Sequence, residues 1–129
     1  MPTTSRSDPY YFQVKPVPAS RPRVSKWGTY YGKQYTAFRK TMESLVINYT
    51  GLMYEGPLAV TLHLYLPWPK TATKRKWPRG DVDNYAKAVL DSLTGVFWED
   101  DDQIVELSVT KEFCESSGCF SIRVERMDE

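Results

Sequence analysis

The sequence predicts an α+β fold: a small mixed sheet of about four strands with two helices packed on it. Three observations predict it. Leu58, Val60, Leu62, Leu64 and Leu66 alternate with Ala59, Thr61, His63 and Tyr65, the period of two expected of a strand with one buried face. Phe38, Met42, Leu45, Val46 and Tyr49 recur at three- and four-residue spacing, which draws one apolar stripe along a helix. Alternation returns from Val105 to Phe113 and again through Phe120, Ile122 and Val124.

Taken in order, Tyr10 to Val17 alternates Tyr10, Phe12 and Val14 against Tyr11, Gln13 and Lys15, and Pro16 and Pro18 end this first strand. Ala19 to Gly32 reads as a basic, aromatic, glycine-punctuated loop. The first helix runs from about Thr36 to Tyr49 and Gly51 ends it. The strand 58–66 follows. Pro67 to Gly80 is a second basic loop, which proline keeps extended. A short helix from about Asp83 to Leu93 turns Val89, Leu90 and Leu93 inward. Glu115-Ser116-Ser117-Gly118 between the last two strands reads as a hairpin turn.

A length of 129 residues with 41% hydrophobic residues suits one domain spanning 1–129, with residues 1–8 a flexible polar lead-in. No run approaches the roughly 20 apolar residues of a membrane span. The first residues lack the apolar core of a secretion signal, so an intracellular protein is expected. Cys114 and Cys119 stand without a second Cys/His cluster, which disfavours zinc; they read as reduced thiols, although opposed strand positions would permit a bridge. His63, mid-strand and with no nucleophile motif near it, reads as a packing or surface residue.

The net charge of +1 conceals a division. Residues 1–80 hold thirteen Lys/Arg against three Asp/Glu; residues 81–129 hold four against thirteen. A basic half suits a polyanion, because Lys and Arg displace counterions from phosphates. An acidic half beside it would repel that polyanion unless cations neutralised it, which is what a metal-dependent nuclease requires; mutual neutralisation across one surface is the plainer alternative.

The acids fall in two groups. Asp81 and Asp83 are two apart in an extended entry segment and share a side, and Asp83 occupies an expected N-cap position. Asp83, Lys87 and Asp91 then follow at four-residue spacing on one helix face. An ordinary cap and a surface Asp83–Lys87 ion pair would account for this segment alone. Glu99-Asp100-Asp101-Asp102 adds a second cluster whose mutual repulsion calls for a cation. Oxygen-only donors favour Mg²⁺, with Mn²⁺ as a substitute, over zinc. The spacing is not that of a calcium-binding EF-hand, and no phosphate-cradling glycine loop is present.

Three segments together make the chain resemble the RusA family of Holliday junction resolvases, small endonucleases common in phages and prophages. They are Arg21-Pro22-Arg23, Gly80-Asp81-Val82-Asp83-Asn84 with Lys87 through Leu93, and Gly95 through Val105. The resemblance runs from about Tyr10 to Glu125. It implies a homodimeric α+β fold that cuts four-way DNA junctions by paired nicks in recombination and repair, in the cytoplasm of a bacterial cell, whether or not phage-encoded. It places the family's two leading metal-site aspartates on Asp81 and Asp83, its later catalytic aspartate on Asp101, its functional lysine on Lys87 and its helix aspartate on Asp91. The extra acid Asp102 leaves the choice among Asp100, Asp101 and Asp102 open. Asp91 would complete the metal ligand set or buttress it. Arg21, Arg23 and Lys26 in the first loop, and Lys70, Lys74, Arg75, Lys76 and Arg79 in the second, are expected to track the DNA backbone. Trp27, Tyr30 and Trp77 either stack on opened bases or pack the loops. Two other functions fit the same residues: a nucleic-acid-binding module without catalysis, and a nuclease for flaps or plain duplex.

Overall fold

Strand β4 (Leu58–Pro67) is the spine of the sheet, and its sequence explains why. Its alternating leucines and Val60 are all buried, while Ala59, Thr61, His63, Tyr65 and Pro67 on the other face are half-buried. In this computed structural model, which describes residues 8–20, 23–30, 32–49, 53–71 and 73–128, β4 lies between two longer-range partners. It pairs in parallel with β5 (Ile104–Cys114) and antiparallel with β6 (Cys119–Arg126). β6 in turn pairs antiparallel with the three-residue β1 (Tyr10–Phe12), so the order is β1-β6-β4-β5.

Two helices cover one face. α1 (Lys33–Val46) buries Tyr35, Phe38, Met42 and Val46 and continues into a 3-10 turn, Ile47–Tyr49. α2 (Val82–Leu93) buries Tyr85, Ala86, Ala88, Val89 and Leu93. Both faces meet the β4 leucines, Phe120, Ile122, Val124, Phe97 and Trp98 in one core. The expected α+β architecture, a mixed four-stranded sheet with two helices, is what the chain adopts.

Four local expectations change. The first strand stops at Phe12 instead of reaching Val17, since only Tyr10 to Phe12 find partners on β6. The basic segment 19–32 is not all loop: β2 (Arg23–Ser25) and β3 (Gly28–Tyr30) form a two-stranded ribbon around Lys26 and Trp27. The first helix begins three residues earlier than its apolar stripe, at Lys33. The 115–118 turn does not make a hairpin. β4 is inserted between β5 and β6, so those four residues step over its end, where Trp68 donates its backbone N–H to the Cys114 carbonyl. Two strand spacings are about 9.6 Å, which four residues at about 3.3 Å each can span. Cys114 and Cys119 therefore sit on strands either side of β4, and both are free thiols. His63 contacts Thr110 across β4 and β5 through Nδ1 and Oγ1 on the half-open face. The flexible lead-in expected for 1–8 and the helix-ending Gly51 fall outside the described residues, except Asp8.

Candidate active site

α2 begins with Asp81 as its N-cap, in extended conformation at φ −85° and ψ 136°. Asp81 makes no side-chain cap hydrogen bond, so its carboxylate is not consumed by the helix. Asp83, read from the sequence as the cap, lies one step inside, in the first turn. A carboxylate there is favoured by the positive end of the helix dipole. Both acids are exposed, and among the described residues neither side chain makes a hydrogen bond or ion pair.

The expected Asp83–Lys87 ion pair is not formed. Lys87 turns the other way along the helix and meets Asp91, Nζ to Oδ2 at 3.2 Å. An exposed pair at this spacing is worth about 0.3–0.5 kcal/mol. The hydrogen bond and charge of Asp91 push the Lys87 pKa up, which secures the ammonium form. The same carboxylate oxygen, Asp91 Oδ2, accepts a hydrogen bond at 3.2 Å from the hydroxyl of Tyr35 on α1. That hydroxyl in turn accepts from Arg39 Nη1 at 3.0 Å. Two side chains of α1 thus hold the aspartate that holds the lysine. Sequence reading missed Tyr35 and Arg39. The one signal available was a tyrosine and an arginine four apart at the start of an amphipathic helix, which alone specifies nothing.

The acidic turn before β5 is fixed by its two flanking residues. Trp98 is fully buried and donates its indole N–H to Thr94 Oγ1 at 2.9 Å. Gln103 accepts from the backbone N–H groups of Glu99 and Asp100 at 2.9 and 3.1 Å and donates to the carbonyls of Tyr54 and Gly56 at 3.2 and 3.1 Å. Between these anchors the three aspartates separate. Asp100 caps the 3-10 turn Asp101–Gln103, accepting from the Asp102 N–H at 3.0 Å. Asp102 lines a groove with Met53 and Glu55. Asp101 lies near enough to α2 to feel the charges of Asp91 and Lys87. Its pKa is pushed up by burial first, then by the hydrogen bond and charge of Asp100, then by the charge of Asp91, while Lys87 opposes the rise.

Lys87 and Asp91 are therefore paired, Asp101 lies within reach of their charges, and Asp81 and Asp83 stand at the start of the same helix. Asp83 and Asp91 are two turns apart, about 12 Å along the axis. Mg²⁺–oxygen distances of about 2.0–2.1 Å do not let both bind one ion. Among the described residues no three His, Cys, Asp or Glu side chains already gather into a metal-ready cluster. The donor chemistry nevertheless fits a hard divalent cation, because every acid at the site offers oxygen alone.

The basic loops border this site. The 67–80 loop is tied down where it enters α2. Lys111 on β5 donates its amine to the carbonyls of Pro78, at 2.7 Å, and of Gly80. The Tyr85 hydroxyl donates to the Arg79 carbonyl at 3.1 Å. Gly80 has φ +96°, and a Cβ there would lie 2.7 Å from the Tyr85 ring. Only glycine makes this turn comfortably. Lys70, Lys74, Lys76 and Arg79 are exposed, and Arg75 stacks over Trp77 at 5.4 Å while its Nε donates to the Trp77 carbonyl at 3.3 Å. At the ribbon tip Trp27 is 85% exposed, with Lys26 Nζ 5.0 Å from its ring. Arg21 and the side chains of Arg23 and Tyr30 lie outside what is described.

A family model described as Endodeoxyribonuclease RusA matches residues 13–125. The chain belongs to the RusA family. The matched span contains both basic loops, both acidic groups, β4, β5 and all of β6 but its last residue. A Bacillus subtilis (strain 168) relative, Uncharacterized protein YqaN, is 36% identical over 73 residues, covering 46% of this chain and 51% of the relative. The chain thus spans about half the length of that relative. No helix among the described residues is long and apolar enough to cross a membrane.

Proposed function

We propose that this RusA-family chain is a Mg²⁺-dependent endodeoxyribonuclease that resolves four-way DNA junctions by paired nicks, acting as a homodimer in recombination and repair in the bacterial cytoplasm. The observation that carries the reading is the Lys87–Asp91 pair on a helix that starts with two acids, unpaired among the described residues, and feels the charge of Asp101, in a chain matched to endodeoxyribonucleases over 13–125.

Asp81, Asp83 and Asp101 are the residues that would hold the cation, with Mn²⁺ as a substitute. When bound, such a cation supplies a water of lowered pKa and offsets charge on the attacked phosphate. The protein's own side chains do the rest. Lys87, held as an ammonium by Asp91, offers positive charge to the phosphodiester as negative charge builds in the transition state. Asp91, already accepting from Lys87 and Tyr35, serves as a buttress. Arg21, Arg23 and Lys26, together with Lys70, Lys74, Arg75, Lys76 and Arg79, bind the backbone phosphates. Among the described residues none of these lies on a helix able to read a major groove, which favours selection of shape over sequence.

The test is nicking of a labelled four-way junction, a flap and linear duplex with Mg²⁺, with EDTA, and by Asp83→Asn. Junction cleavage that requires metal and is lost in Asp83→Asn supports the reading. Junction binding without cleavage under any condition would make the chain a binding module, and preference for the flap or the linear duplex would reassign its substrate.

A further inference from the structure

Between the 67–80 loop, the end of β4 and the start of α2 lies a cavity of about 400 Å³. We propose that it receives a single unpaired nucleotide of the DNA substrate, its base against Tyr85 and Phe113 and its phosphate among Lys15, Arg75 and Arg79. The proposal rests on the nuclease reading and adds to it a site that holds one nucleotide out of the stack.

Four features argue for this occupant. The first is chemistry. The lining combines three cations with aromatic and proline surface and, among the described residues, contains no Asp or Glu, although the adjoining half of the chain is acidic. A cavity lined by two aromatic rings, prolines and three cations matches a base joined to a phosphate, and base–aromatic stacking needs no particular sequence. The second is size: about 400 Å³ falls within the range of about 300–1,000 Å³ for small-ligand pockets, and excludes a stacked base pair within its duplex.

The third is preorganisation. The Lys111 amine and the Tyr85 hydroxyl hold the Pro78–Gly80 wall through its carbonyls, and Trp68 stacks on Phe113 with ring centroids 4.1 Å apart. A pocket whose walls are already fixed loses little ordering entropy when filled. The fourth is position. Arg79 and Gly80 run directly into Asp81, and Tyr85 sits two residues beyond Asp83 on the buried side of the same helix. An extruded nucleotide held here would place its neighbouring phosphodiester at the helix start. Enzymes acting on nucleic acid pay a few kcal/mol to unstack a base, and least where pairing is already disturbed, as at a branch point.

The experiment uses the full chain in EDTA. ¹H–¹⁵N spectra are recorded during titration with thymidine 5′-monophosphate, thymidine and inorganic phosphate. The mononucleotide is expected to bind at least tenfold more tightly than either fragment, with shifts at residues 66, 75, 79, 85 and 113. Thr71→Trp, which fills the cavity from its exposed rim, is expected to weaken that binding at least tenfold without changing the thermal midpoint; Phe113→Ala is the second variant. A junction carrying 2-aminopurine at the branch point should brighten on binding the unmodified chain and not Thr71→Trp. Equal binding of phosphate and mononucleotide would reduce the cavity to an anion site and overturn the proposal, as would shifts elsewhere. A chain that nicks junctions yet shows neither response loses the pocket alone. A chain that responds to both probes yet never nicks loses the nuclease reading alone.

Discussion

Removing one hydroxyl, by Tyr35→Phe, tests whether α1 organises the chemistry on α2. The ring is buried at 5% exposure and stays in place, so no cavity opens. What disappears is a bond donated to Asp91 Oδ2 at 3.2 Å and one accepted from Arg39 at 3.0 Å. Hydrogen bonds to charged groups contribute about 1.5–3 kcal/mol. The Asp91 side chain is 26% exposed, so solvent discounts this toward the lower end, and Arg39 regains water. A stability loss of about 1–2 kcal/mol follows. The effect on activity has a different origin. Asp91 keeps Lys87 as a partner but loses its tether to α1, and a mobile Asp91 lets the ammonium wander. An orientation loss of about 1.4 kcal/mol is a tenfold fall in cleavage rate. The assays are urea unfolding and single-turnover nicking of a junction, for Tyr35→Phe, Asp91→Asn and the double variant. If Tyr35 acts through Asp91, the double variant nicks no more slowly than Asp91→Asn. Rate losses that simply add would refute the tether. So would Tyr35→Phe that is destabilised yet nicks at full rate.

Other outcomes follow from the same geometry. Gly80→Ala forces a Cβ against the Tyr85 ring at a positive φ; it should cost about 1–3 kcal/mol in urea unfolding and weaken junction binding by gel shift. Leu62→Ala empties a fully buried position at the centre of β4 and should cost about 2–5 kcal/mol, read in the same unfolding assay. Burial raises the phenol pKa values of Tyr35, Tyr54, Tyr65 and Tyr85 above 10, and the bond between Tyr10 and Tyr54 adds to the shift of Tyr54. The unfolded chain ionises these groups near pH 10 and the folded one does not. Their contribution is therefore full below pH 10 and is lost as pH climbs through the higher folded values. Absorbance at 295 nm should show at least these four of the nine tyrosines titrating late, together with alkaline unfolding.

Periodicity made the sheet and helices readable because burial writes itself into sequence at periods of 2 and 3.6. The leucines of β4 and the α1 stripe carry that record plainly; β4 falls where expected and α1 is shifted by three residues, because its first turn adds only Tyr35 to the buried stripe. Topology left no such record. Whether β5 pairs with β6 or lets β4 in between depends on which long-range partner buries more surface, and the short 115–118 link is compatible with both. The β2–β3 ribbon stayed hidden because its exposed Val24 and Trp27 obey no buried alternation. At the site, spacing correctly aligned Lys87 with Asp91 on one helix face but could not choose the partner of Lys87. Distance decided that: Asp91 has Tyr35 beside it, and Asp83 stands alone at the helix start. The different settings of Asp100, Asp101 and Asp102 were not readable from four acids in a row, because they depend on the anchoring of Trp98 by Thr94 and of Gln103 by backbone carbonyls 47 and 49 residues away in the chain.

The insertion of β4 between β5 and β6 has a further consequence for synthesis. β6 follows β1 to β5 off the ribosome, yet its seat is interior, between β1 and β4. Until it arrives, the leucines of β4 have only one flanking strand and Phe12 faces a gap where Phe120 belongs. A growing chain that ends at the 115–118 turn would hold its helices and half a sheet with the apolar seam open to other nascent chains. Strand β6 closes the seam, and with it the platform from which both acidic segments are presented.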